Sequence, residues 1–157
     1  MLLAAAIASG ADTSLFRDAV IDDAGQLHIT LANGKEVMPP TLEGQTAFES
    51  PAISADHLTV GWLADYADSV TPGEVVTLPH ALVIYAAGRI VQTFRPDHSS
   101  YDWQFRSGGK QVAYSTGPLH GGASECVLAE TSSGRVIEKW LVTNDAAPPE
   151  WANGLNR

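Results

Sequence analysis

Apolar positions along this chain fall in short runs, and no segment shows a helical stripe over more than two turns. The runs are Arg17–Ile21, Leu27–Leu31, Ala47–Ser54, Leu58–Ala64, Val75–Leu78, Ala81–Ala86, Arg89–Arg95, Tyr101–Phe105, Lys110–Ser115, Glu125–Glu130 and Arg135–Val142. They are rich in β-branched and aromatic residues and bounded by Gly, Pro, Asp, Asn or Ser, which predicts short strands joined by turns. The class expected is all-β. Asn33-Gly34 predicts a tight hairpin turn, because both residues tolerate positive φ. Ala87-Gly88 and Ser133-Gly134 predict similar turns with one flexible residue each. The tail Pro148–Gly154 reads as one turn of helix, with Trp151 docking back on the body.

Two phrases recur. The first is an apolar strand, a Gly-basic turn and a strand ending in an aromatic residue. It occurs at Leu82–Phe94 around Gly88-Arg89 and at Val127–Trp140 around Gly134-Arg135, with a weaker copy at Leu27–Met38 around Gly34-Lys35. The second aligns Pro51–Trp62 with Trp103–Tyr114 at one constant offset, matching Ile53 to Phe105, Val60 to Val112 and Trp62 to Tyr114. A period of roughly fifty residues with four strands per unit is the pattern of propeller blades. Three such units are too few to close a ring. The expectation is therefore a sandwich, a barrel or a partial propeller, with a six-blade ring only if two chains pair as a homodimer.

The second phrase, at Ser54–Trp62 and Ser107–Tyr114, resembles the strand-and-turn phrase of TolB-like and WD40-like blades. More broadly, the stretch from about Phe16 to Trp151 resembles a little-studied family of small exported bacterial proteins. That likeness rests on Val60–Leu63, Gly108–Ala113, Gly117–Gly122 and Pro149-Glu150-Trp151. It implies a fold and export, and no particular activity. A cysteine pair often found in that family would fall in a loop at Ala67–Val70, and this chain has none there.

Composition narrows the partners. The 157 residues, 45% apolar and 17% charged, fit one domain at 13–157 with a full core. Eighteen acidic residues against nine basic give a net charge of −9. That surface repels phosphate backbones and anionic lipid, so nucleic acid is not expected as a partner. Residues 1–12, apolar and then small, read as the remnant of a signal peptide and are too short to cross a membrane as a helix. The single Cys126 excludes an internal disulfide.

Chemistry concentrates in two polar stretches. Arg95–Trp103 offers Asp97, His98, Ser99 and Asp102, which could ligate a cation or form an acid–base or nucleophile–base pair. Asp, Ser and Pro are equally the residues of ordinary turns. Thr116–Glu125 offers His120, Gly121, Gly122 and Glu125; a His beside two glycines lets backbone N–H groups approach a ligand. No G-x-S-x-G nucleophile turn accompanies it. Tyr101 and Trp103 could stack a sugar or a peptide, or fill the core.

Two functions follow as expectations. One is an exported module binding a small-molecule, glycan, peptide or envelope ligand through Trp103, Tyr101, Gly121 and Gly122. The other is a calcium-dependent hydrolase of the propeller lactonase or esterase type. In it Asp97, Asp102 and Glu125 would hold Ca²⁺, and His120, His98 and Ser99 would do the chemistry on substrates such as acyl-homoserine lactones.

Overall fold

The computed structural model describes residues 15–143 and 145–155, without the side chains of Val70 and Tyr101. The segment 1–12, read as a leader remnant, lies outside the described residues. Eleven strands are described, and they form three antiparallel sheets. The first holds β1 (Phe16–Ile21), β2 (Leu27–Leu31) and β3 (Glu36–Val37). The second holds β4 (Ala47–Ile53), β5 (Val60–Thr71), β6 (Glu74–Ala86) and β7 (Arg89–Phe94). The third holds β8 (Ser99–Arg106), β9 (Gln111–Gly117), β10 (Glu125–Glu130) and β11 (Val136–Leu141). Strands lie side by side in chain order in every sheet, and none of the three closes into a barrel. The all-β expectation holds, with a sandwich-like stack of sheets as its form.

The second sheet is buried on both faces. Trp62, Val83 and Tyr85 on one face pack with Phe16, Leu27 and Ile29 of the first sheet. Leu63, Leu82, Ile84 and Phe94 on the other face pack with Trp103, Val112, Tyr114 and Val127 of the third. Side chains alternate between faces along a strand, so a strand covered on both sides reads as a continuous apolar run. Val60–Ala64 and Ala81–Tyr85 are such runs. The outer face of the third sheet, with Ala113, Cys126 and Leu128, is closed by Ala152 and Leu155 of the C-terminal segment. There Glu150–Ala152 forms the expected helical turn, of 3₁₀ type. Arg106 holds it, donating from Nε to the Trp151 carbonyl at 2.8 Å and from Nη2 to the Asn153 carbonyl at 2.7 Å.

The second repeat is real at the level of register. Ile53 pairs with Val60 across β4 and β5, and the aligned Phe105 pairs with Val112 across β8 and β9. The two sheets approach closely at Gly61, where a Cβ would lie 2.5 Å from the Trp103 ring. Any side chain there would push the indole off the sheet.

Three details differ from the sequence reading. Asn33-Gly34 does not form the two-residue turn: Leu31 N–H donates to the Lys35 carbonyl around a three-residue loop in which Gly34 alone has positive φ. Ala87-Gly88 does form a two-residue turn, both residues with positive φ, and Pro72-Gly73 forms another between β5 and β6. The predicted runs Val75–Leu78 and Ala81–Ala86 are one strand, β6, carried past Pro79 and His80 by a bulge opposite Ala64/Asp65. Its partner β5 runs on to Thr71, so Ala67–Val70 is strand rather than loop. No helix among the described residues is long and apolar enough to cross a membrane.

Candidate functional site

The third sheet is wider than its contact with the second. On its inner face Val112, Tyr114 and Val127 are buried against the second sheet. Beyond them β11, the edge strand, overhangs: its residues are almost all exposed and none joins that buried cluster. Lys139 pairs in register with Val127 and Leu141 with Glu125, which sets both side chains on that same inner face. Leu141 is 54% exposed and Val136 44%. The overhang leaves a cleft of about 380 Å³ between β11 and the 95–98 segment that joins β7 to β8.

Local contacts fix the 95–98 segment. Arg95 lies 5.5 Å over the Tyr66 ring and donates to its hydroxyl at 3.2 Å. Thr116 on β9 reaches from its hydroxyl to the carbonyls of His98 and Ser99 at 3.1 and 3.0 Å. Asp97 and His98 therefore line the cleft with Tyr114, Glu125, Lys139 and Leu141. Lys139 donates to Glu125 at 2.8 Å. This half-exposed pair is worth about 0–1 kcal/mol, so it can reopen for a ligand. Burial, with the Glu125 charge adding to it, pushes the Tyr114 phenol up to about 12. Tyr114 is thus a neutral hydroxyl at physiological pH, able to donate a hydrogen bond and unable to serve as a base.

The structure unites part of the predicted set. Asp97, His98 and Glu125, from two separate stretches, share the cleft. Asp102 does not join them. It pairs in register with Ser115, whereas Glu125 pairs with Thr116, so Asp102 and Glu125 stand on opposite faces of the third sheet. Oδ1 of Asp102 accepts from the Trp103 N–H at 2.8 Å, at the bulge in β8. Among the described residues no group of three or more His, Cys, Asp or Glu side chains is placed to hold a metal ion.

Ser99 is strand rather than loop and only 5% exposed, which keeps its hydroxyl from a substrate. Trp103 is a core residue: its ring packs edge-on to Phe105 with centroids 5.0 Å apart, and its Nε1 donates to the Ser50 carbonyl at 3.0 Å. The Tyr101 side chain lies outside the described residues. His120 and Gly121 are exposed on the loop between β9 and β10 and do not line the cleft. Gly122 has a structural role there, since a Cβ would lie 2.8 Å from the Pro118 ring.

Sequence reasoning missed Tyr114, Val136, Lys139 and Leu141 as site residues. The signal was present in part, in the alternation that sets Lys139 and Leu141 on one strand face; Val136 joins them only through the bulge opposite Leu128/Ala129, which the sequence does not mark. No protein-family model matches this chain, and no curated protein matches it in sequence.

Proposed function

We propose that this protein is an exported β-domain that binds an extended peptide in the cleft beside β11. The overhang of β11 is the observation that supports the reading. An edge strand offers backbone N–H and C=O groups for a further strand, and alternating side-chain sites beside it supply selectivity. Leu141 and Val136 would take apolar side chains; Lys139, Asp97, His98 and Glu125 would read charged or polar ones. The buried position of Ser99 and the separation of Asp102 from Glu125 favour binding over catalysis. The likeness to exported bacterial proteins at Val60–Leu63 and Gly108–Ala113 supports the export part of the proposal.

Selection from a displayed peptide library, run beside a glycan array, tests this. Extended peptides are expected to be enriched. By calorimetry, Leu141→Asp and Lys139→Glu should each weaken the selected peptide by about tenfold or more, since each such loss corresponds to about 1.4 kcal/mol. Enrichment of glycans alone would overturn the peptide assignment. Hydrolysis of an ester or lactone that depends on Ca²⁺ and is abolished by His98→Ala would overturn the reading as a binding module.

A further inference from the structure

A second and larger cleft, of about 850 Å³, lies at the opposite ends of β7 and β10. One wall comes from the β6–β7 hairpin of the second sheet, with Ala86, Ile90 and Val91. The other comes from the start of β9 and the end of β10 in the third. Arg89 stands on the first wall and Lys110 on the second. Neither side chain has an ion-pair or hydrogen-bond partner among the described residues, whereas Arg135 is paired with Glu130 and Lys139 with Glu125.

Glu130, the one carboxylate lining the cleft, is already engaged. Arg135 first, and then the Ser133 hydroxyl at 2.6 Å, hold its carboxyl below the usual range. On a chain of net charge −9, two unpaired cations from different sheets thus line one cleft.

We infer that this cleft binds a small organic carboxylate with an apolar body. The Arg89 guanidinium can hold one carboxylate through two parallel N–H bonds, and the Lys110 ammonium adds a charge-assisted donor from the opposite wall. Val91 and Ala86 supply a surface for the apolar part, which inorganic phosphate would leave uncovered. The site is independent of Lys139 and Leu141, so it stands or falls apart from the peptide cleft.

Amide-resolved NMR titration of the full chain with hexanoate, hexanol and inorganic phosphate tests the inference. Hexanoate is expected to shift the amides of Arg89, Ile90, Lys110, Thr131 and Ser132. The double variant Arg89→Gln/Lys110→Gln should weaken hexanoate by about tenfold or more. Both side chains are exposed and unpaired, so the variant should keep the wild-type spectrum elsewhere. Hexanol should bind more weakly than hexanoate. Absence of shifts at these amides, equal binding of hexanol, phosphate binding tighter than hexanoate, or unchanged affinity in the double variant would each overturn it.

Discussion

Asp65 lies in β5 at the bulge, 8% exposed, with its backbone carbonyl accepting from the Thr46 N–H at 2.8 Å. Its Oδ1 is buried with no hydrogen-bond partner among the described residues. Burial, reinforced by the charge of Glu49 and opposed by that of His80, raises its carboxyl from 3.8 to about 6. A raised folded value means the neutral form is favoured in the fold. The stability it confers is full below the ordinary carboxyl value and is lost as pH rises through about 6. Asp65→Asn should therefore stabilise the protein by about 1–3 kcal/mol at pH 8 and change little at pH 3.5. Thermal melts at the two pH values check this; equal shifts at both would contradict it. Nothing in the sequence marks Asp65, because an acidic residue after an apolar run reads as the end of a strand. Its burial depends on the bulge at Pro79 and His80, a tertiary feature. His98 and Asp97 were legible, since they sit where chain direction forces a connection between sheets.

The hairpins show how far an element can be read from its own residues. Turn chemistry favoured a two-residue turn at Asn33-Gly34 as well as one at Ala87-Gly88, and only the second forms. In the first sheet the loop takes three residues, and the Asn33 side chain accepts from the Lys35 N–H at 2.9 Å instead of adopting positive φ. Ala87 has φ +49, a conformation in which its Cβ is unfavourable. Ala87→Gly should consequently raise stability by about 0.5–1 kcal/mol, less the extra chain entropy of glycine, read as a higher denaturant midpoint at unchanged slope. A lower midpoint would show that the Ala87 methyl packs to advantage. The extension of β5 and β6 past Asp65 was missed for a different reason. Asp68, Ser69 and Thr71 are polar, and pairing with Val76, Val75 and Glu74 respectively makes them strand where their own propensities do not.

At the scale of the whole molecule the repeats build a stack with one sheet in the middle. The continuous apolar runs Val60–Ala64 and Ala81–Tyr85 record that double burial in the sequence, and the register of the 53/60 and 105/112 pairs preserves the repeat. How the sheets stack was not legible, because it depends on Gly61 admitting Trp103 and on β11 reaching past the second sheet. The overhang that results is what makes the cleft, and the cleft is where the account places function. The most direct test is an amide-resolved NMR titration of the full chain with a display-selected peptide. The account predicts shifts confined to Asp97, His98, Glu125 and the β11 amides from Val136 to Leu141, with the β11 amides that point away from β10 becoming slow to exchange as a new strand pairs. Shifts centred on His120–Gly122, or binding that leaves β11 exchange unchanged, would contradict it.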